Sequence, residues 1–570
     1  MTTKSLIGEV DQHRLMEYTS SIAQYERLSG TEDEMKAFEY IKETLESFGL
    51  FPNLVEQQAY ISLPRSASLS CDSESFECIT HSMAPSADRW NGRLIRVDAE
   101  NLDERLPADR YESIALIDGI ATPGVVRKIQ NLGFIGCIFI NTSLTYEMIV
   151  SPVWGTPTPE KLKDLPKIPV VSVNEETGKR LIELSEKVSF VEMTTRVETR
   201  VRPIPLLTVD IEPGKGDDTF LLFSGHVDSW HFGAMDNGTA NATMLEVARI
   251  FSNKKDELSR TLRLAFWSGH SHGRYAGSAQ YCDENWLELH NHCVGHVNID
   301  SVGGKGASIL SQANTMEEMK SVASSSVKKI SGQDFEGKRY GKAGDQSFWG
   351  VGIPSLYMGL SEQPPSESDE LDAREKMFGG GGKSAGFGWW WHTVEDTLDK
   401  IDPDNLKRDC EVYLDSISQI VCENKLPIDQ AAAIDDILLG LNEWSLKAGN
   451  ALDFEEIMSR LKKVKSLYQE ATSNLSDQVF NQLAMRMSRK LVPFNYVADS
   501  RYEYDTLFAL PKVPALMDFN RLVEMHKGNE DEFFLKTKLK RKMNELLHTV
   551  YELERDILFY YRSGENDEIT

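Results

Sequence analysis

The last part of the chain, from residue 409 to the end, has the apolar spacing of amphipathic helices. Segments such as AIDDILLGLNEWSLKAGNAL and KTKLKRKMNELLHTVYELERDILFYY repeat apolar residues every three or four positions. That period places apolar side chains on one face of a helix. The pattern predicts a helical domain over residues 409–570.

The middle of the chain alternates apolar strands with helices. Nearly continuous apolar runs in TFLLFSGHVDSW, TLRLAFWSGH and GHVNIDSVGG are separated by a helical pattern in NATMLEVARIFS. Such strands are typical of a sheet that helices cover on both faces. We therefore predict an α/β domain, built from residues 1–55 and 201–408, with a mixed, mostly parallel sheet flanked by helices. Within it, Thr31 and Glu34 have capping-box spacing, which predicts a helix beginning near residue 32.

Residues 56–200 have a different texture. Short β-like runs such as SIALIDG and CIFINTS flank the helix-like segment GVVRKIQNLGF. This pattern predicts a small α/β module, so the chain of 570 residues has three parts, as expected for a length beyond that of one hydrophobic core.

Composition narrows the possible partners and compartment. The 62 Lys and Arg against 88 Asp and Glu give a formal net charge of −26, which repels nucleic acid phosphates and anionic lipids. Apolar runs fall short of the roughly 20 residues of a membrane helix, and the start of the chain lacks the pattern of a secretory signal. The seven cysteines have no paired spacing, which fits reduced thiols. We expect a cytoplasmic protein without nucleic acid or membrane partners.

Imidazole and carboxylate side chains follow several of the predicted strands. His226 and Asp228 end one strand in SGHVDSW, and Asp236 follows in GAMDNG. Asp300 ends the NID strand, and His392 follows three tryptophans in WWWHTVED. Open α/β folds build their sites at the carboxyl edge of the sheet, and nitrogen and oxygen ligands suit a divalent metal. The sequence therefore predicts a metal site at this edge.

These segments resemble the co-catalytic zinc aminopeptidase family, in its glutamate carboxypeptidase and transferrin receptor branch. The order GHxDSW, GAxDN, NxDS and HTxxDT extends through residues 200–405. The resemblance implies that His226 and Asp300 bind one zinc ion and that His392 binds another. It also implies that Asp236 bridges both ions and that Asp228 orients His226.

The flanking parts extend the resemblance to nearly the whole chain. Residues 56–200 resemble a protease-associated insert, and residues 409–570 resemble the dimerisation domain of that branch. The resemblance therefore implies a homodimer.

One segment departs from the family pattern. Family members carry two adjacent glutamates after the strand corresponding to TLRLAFW, the first a general base and the second a metal ligand, whereas this chain has SGHSHG at residues 268–273. Alignment on the preceding strand places His270 at the base position and Ser271 at the ligand position. Alignment on the following Gly-Ser pair places Ser271 and His272 there instead. Neither alignment restores a carboxylate.

The departure changes the expected chemistry. With one carboxylate fewer, the second ion should bind more weakly, which favours a single-ion site with up to three histidines and two aspartates. His270 and His272 are each candidate metal ligands and candidate catalytic proton carriers, because histidine titrates near neutrality. Alternatively, both fill a degenerate site. Asp345, in GKAGDQSFWG, either lines the pocket or caps a loop.

Together these features favour a metal-dependent hydrolase of a C–N bond in a peptide, an amino-acid conjugate or another small amide. Zinc is the expected metal, as one or two ions, although other transition metals fit the ligands. The alternatives are a non-catalytic homologue, receptor-like or metal-binding, and a different metal-assisted reaction. No basic cluster matches the arginine patch that binds a terminal glutamate in the carboxypeptidases, so that specificity is not expected.

Overall fold

The computed structural model describes residues 4–98, 108–187, 189–311, 313–341, 344–357, 359–364, 386–449, 451–473, 475–506, 510–525 and 528–567. The strands in these residues are β1 Asn53–Cys71, β2 Glu74–Phe76, β3 Ile79–Thr80, β4 Ala87–Arg96, β5 Ser113–Asp118, β6 Gly136–Ile140, β7 Val170–Val173, β8 Phe190–Ile211, β9 Phe220–His226, β10 Thr261–Trp267, β11 Cys293–Asn298, β12 Asn314–Thr315, β13 Lys338–Arg339 and β14 Ser355–Tyr357. The α-helices are α1 Lys4–Ile7, α2 Gln12–Ile22, α3 Glu32–Ser47, α4 Pro123–Asn131, α5 Glu175–Ser185, α6 Thr239–Ser252, α7 His270–Gly273, α8 Ala276–Glu284, α9 Trp286–His292, α10 Lys320–Ser331, α11 Pro403–Val421, α12 Gln430–Ala448, α13 Glu455–Thr472, α14 Asp477–Tyr496, α15 Asp518–Glu524 and α16 Glu530–Asp567.

One sheet contains all of these strands, in the order β13-β12-β14-β11-β9-β10-β8-β4-β5-β6-β7-β3, with β1 paired to β8 and β2 paired to β1. In its centre β9 is parallel to both β10 and β11. Parallel neighbours end at the same edge, so the residues that follow these three strands come together. The predicted fold class, a mixed and mostly parallel sheet flanked by helices, is confirmed.

Two long strands run through both the central part of the sheet and the part formed by residues 56–200. β1 and β8 pair antiparallel along nearly their whole length. The end of β8 pairs with β10, whereas its beginning pairs with β4. The proposed three-part domain division stays a prediction.

The helix predicted near residue 32 is α3. Its N-cap is Thr31, whose Oγ1 accepts a hydrogen bond from the backbone N–H of Glu34 at 3.4 Å. Phe38, Ile41 and Leu45 on one face are completely buried. The capping signal and the apolar spacing therefore identified this element correctly.

The region predicted to be helical, residues 409–570, is mainly helical in its described part. Its first helix, α11, packs in the core of the α/β part, whereas the helices from α12 onward have a core of their own. Leu441, Leu461, Leu483 and Val550 of α12, α13, α14 and α16 are buried in that core.

Among the residues that the structure describes, no helix is both long enough and apolar enough to cross a membrane.

Candidate metal centre

His226 is the last residue of β9, and its side chain is buried. Its Nδ1 lies 2.8 Å from the carbonyl oxygen of Asp228. A carbonyl can only accept, so Nδ1 carries a proton, and Nε2 faces the neighbouring carboxylates. That Nε2 lies 3.2 Å from Oδ1 of Asp236 and 3.4 Å from Oδ2 of Asp300.

His392 approaches Asp236 from the opposite side with the same arrangement. Its Nδ1 donates to the carbonyl oxygen of Glu147 at 2.7 Å. Its Nε2 lies 3.1 Å from Oδ2 of Asp236. The two carboxylate oxygens of Asp236 therefore each face one imidazole nitrogen, the arrangement expected of a bridging ligand.

The contact between His226 and Asp236 has the chemistry of a cation site. Nε2 of His226 and Oδ1 of Asp236 are both buried, and neither has a hydrogen-bond partner. Two facing acceptors are unfavourable in a buried site unless a proton or a metal ion lies between them. Although burial opposes it, the carboxylates of Asp300 and Asp236 hold the pKa of His226 well above its ordinary value. The donor set of these residues therefore fits a divalent metal.

Asp396 holds the loop that carries Asp236 by hydrogen bonds to the loop's backbone. Its carboxylate accepts hydrogen bonds from the backbone N–H groups of Met235 and Asp236, each at 2.9 Å. Burial raises the pKa of Asp396 to about 7. In the sequence this residue appears only as the aspartate of the HTxxDT pattern, which gives no sign of its role.

A buried arginine, Arg27, holds the segment of residues 227–233, which lies just before Asp236 in the chain. Arg27 donates to the carbonyl oxygens of Val227 at 2.7 Å, Phe232 at 2.6 Å and Gly233 at 3.0 Å. In the sequence these three residues lie between His226 and Asp236, two of the candidate metal ligands. No sequence motif indicated this contact, because Arg27 is about 200 positions away from the loop in the chain.

The segment that replaces the glutamate pair places His270 beside His226. The two rings stack, with centroids 3.7 Å apart and an interplanar angle of 13°. On its other side, Nδ1 of His270 lies 2.9 Å from Oδ2 of Asp345. Potential ligand atoms of His226, His270 and Asp300 all lie within 4.8 Å of one another.

Asp228 contacts both His226 and the turn that contains His270. Its carboxylate accepts from the backbone N–H groups of His270 at 3.2 Å and Ser271 at 2.8 Å, and from the Ser29 hydroxyl at 2.6 Å. Its contact with Nδ1 of His226 uses the backbone carbonyl, whereas the nearest carboxylate oxygen is 3.7 Å away. Asp228 therefore links β9 to the replaced segment.

His272 lies away from this cluster. It is completely buried, and its Nδ1 lies 2.9 Å from the Ser29 hydroxyl and 3.3 Å from the Ser29 backbone N–H. Burial lowers the pKa of His272. Of the six metal-ligand candidates, the structure thus brings together His226, Asp236, Asp300, His392 and His270.

The central sheet carries a cluster of imidazoles and carboxylates at its carboxyl edge. Residues 207–417 match the profile described as Peptidase family M28. The resemblance to zinc aminopeptidases and glutamate carboxypeptidases is therefore confirmed.

Individual proteins agree with this assignment. "Probable glutamate carboxypeptidase AMP1" from Arabidopsis thaliana is 28% identical over 120 residues, which is 20% of this chain and 17% of that protein. The solved aminopeptidase from Aneurinibacillus sp. strain AM-1 has a TM-score of 0.55 at 20% identity, covering 74% of this chain and 96% of its own. The zinc aminopeptidase BSAP from Bacillus subtilis has a TM-score of 0.55 at 19% identity, covering 73% and 96%. At such identities, the two structures establish the fold.

Proposed function

We propose that this chain is a metal-dependent hydrolase that cleaves a C–N bond in a short peptide, an amino-acid conjugate or another small amide. The observation that carries the proposal is the position of Asp236 between two imidazoles that both direct Nε2 at its carboxylate. Each imidazole is fixed by a hydrogen bond from Nδ1 to a backbone carbonyl. Nε2 of His226 and Oδ1 of Asp236 have no hydrogen-bond partner, so this buried contact is favourable only with a metal ion or a proton between the two atoms.

Zinc is the metal that the ligand set and the M28 match support. When bound, it would polarise the scissile carbonyl and lower the pKa of a water molecule. His226, Asp300 and Asp236 would hold it on one side of Asp236, and His392 would supply a ligand on the other side. The backbone carbonyls of Asp228 and Glu147 would fix the two imidazoles for binding through Nε2.

Because the glutamate pair is missing, the GHSHG turn is the segment that would supply a replacement metal ligand or proton carrier. His270 contacts the cluster, whereas His272 contacts Ser29 and is enclosed. Any contribution of this turn to metal binding or to proton transfer therefore falls on His270. We assign His272, with Asp228, to holding the turn in place.

Metal analysis combined with hydrolysis assays tests the proposal. The full chain, purified without added metal, is expected to contain zinc or another divalent ion and to hydrolyse members of a panel of aminoacyl and acyl-amino-acid amides. Dialysis against dipicolinate should remove both properties, and zinc should restore them. His226→Ala should abolish both, because it removes a buried ligand. The control is His548→Ala, whose side chain is 71% exposed on α16. A chain that neither retains nor binds zinc would instead support the non-catalytic homologue.

The homodimer and the cytoplasmic location remain predictions. Exposed Phe533, Phe534 and Phe559 on α16 supply apolar surface of the kind that interfaces use. The seven unpaired cysteines fit a reducing compartment. Size-exclusion chromatography with light scattering should give twice the chain mass, and a single chain mass would refute the dimer.

A further inference from the structure

His270 stands at one of the positions of the missing glutamates, and its contacts fix the orientation of its ring. Its ring is 14% exposed, and Nδ1 bonds to Asp345, which is itself almost completely buried. Asp345 is fixed in turn, because its Oδ1 accepts from the Ser278 hydroxyl at 3.0 Å. A histidine whose one ring nitrogen bonds to a fixed carboxylate has its other nitrogen oriented for a metal.

The hydrogen-bond network of Asp345 extends to Trp154, in the segment of residues 56–200. The hydroxyl groups of Ser278 and Ser347 lie 2.8 Å apart, and the indole N–H of Trp154 donates to Ser347 at 2.9 Å. Every polar group in this chain of contacts therefore has a partner, which limits the rotation of Asp345 and, through it, of His270.

The ligand positions favour one side of Asp236. Within the described part of the chain, His226, His270 and Asp300 are the group of at least three candidate ligands whose atoms lie mutually within 4.8 Å. On the other side, His392 meets Asp236, while the family's second glutamate is replaced by the neutral hydroxyl of Ser271 or by enclosed His272. Two carboxylates, Asp236 and Asp300, balance the charge of one divalent ion but not of two.

We propose that His270 is a metal ligand oriented by Asp345, and that with His226, Asp300 and Asp236 it forms a centre for a single ion in place of the two-ion centre. The inference rests on the proposed metal-dependent function. Asp345 is a positioning residue in it, since it acts through the His270 ring.

Zinc titration of the metal-free full chain with a competing chelator, checked by elemental analysis, tests the assignment. The wild type should bind one zinc ion per chain. His270→Ala should weaken zinc binding by more than about 100-fold, and Asp345→Asn, which keeps the side-chain shape, by about 10- to 100-fold. His548→Ala should bind zinc as the wild type does.

Two further measurements separate ligation from structural support. In the cobalt-loaded protein, His270→Ala and His270→Gln should change the visible absorption of the ion, because a nitrogen ligand is lost. The double variant His270→Glu with Ser271→Glu restores the two glutamates and should bind two zinc ions per chain. Circular dichroism shows that each variant is folded.

The outcomes distinguish this inference from the proposed function. Two zinc ions bound by the wild type would overturn the single-ion centre. Unchanged zinc affinity and cobalt absorption in His270→Ala, with hydrolysis lost, would make His270 a proton carrier and refute ligation. One ion in the double variant would show that the missing glutamates do not set the count. Absence of zinc binding in the wild type would refute both proposals.

Discussion

Replacing Asp236 with asparagine is expected to remove zinc from the protein and to reduce hydrolysis to background. Asp236 is the carboxylate that both His226 and His392 face, at 3.2 and 3.1 Å. An amide has nearly the same shape but no charge, and its NH2 group cannot bind a cation. The loss in zinc affinity should exceed the about 10- to 100-fold typical of an outer-shell change.

Asp236→Asn is purified and analysed for zinc in the same way as the wild type, so that their zinc contents can be compared. Asp334→Asn is the matched control, because the side chain of Asp334 is 91% exposed and lies outside the cluster. Asp236→Asn should remain folded, since the amide removes a buried charge without changing the volume of the site. Wild-type zinc content in folded Asp236→Asn would refute the role of Asp236 as the central ligand.

The sequence was most informative where a candidate metal ligand follows a predicted strand. The apolar runs identify β9, β10 and β11, and parallel pairing of these strands brings their ends to one edge. That relation is enough to group His226, Asp236 and Asp300, because it depends only on strand order and direction. His392 follows three tryptophans and not one of these strands, so its place in the cluster depended more on the family resemblance.

The sequence could not distinguish His270 from His272, which are two positions apart in one turn. Their directions depend on positive φ angles at Gly269, Arg274 and Tyr275, of 75°, 47° and 66°. They also depend on Ser29, which contacts His272 from a distant part of the chain. Asp345 was uncertain for the same reason, because its partner His270 lies 75 positions away. Contacts between distant segments are not encoded in local spacing.

The second large effect is expected at Arg27, which no motif identified. Arg27→Ala should lower the free energy of unfolding by about 3 kcal/mol or more, because a hydrogen bond to a charged donor contributes about 1.5–3 kcal/mol and several are lost together. The carbonyl oxygens of Val227, Phe232 and Gly233 would lose their donor, and buried acceptors without partners are costly. Burial lowers the pKa of Arg27 only to about 10, so the lost group is a cation at neutral pH.

Urea unfolding of the full chain, followed by circular dichroism, should show a lower midpoint for Arg27→Ala. Arg27→Lys should be intermediate, because an ammonium keeps the charge but lacks the planar fork of donors. Arg521→Ala, at a side chain that is 70% exposed, is the matched control. Since Arg27 fixes the loop between His226 and Asp236, Arg27→Ala should also bind zinc more weakly under conditions where it is fully folded. Reduced stability with wild-type zinc affinity would mean that Asp396 alone is sufficient to position Asp236.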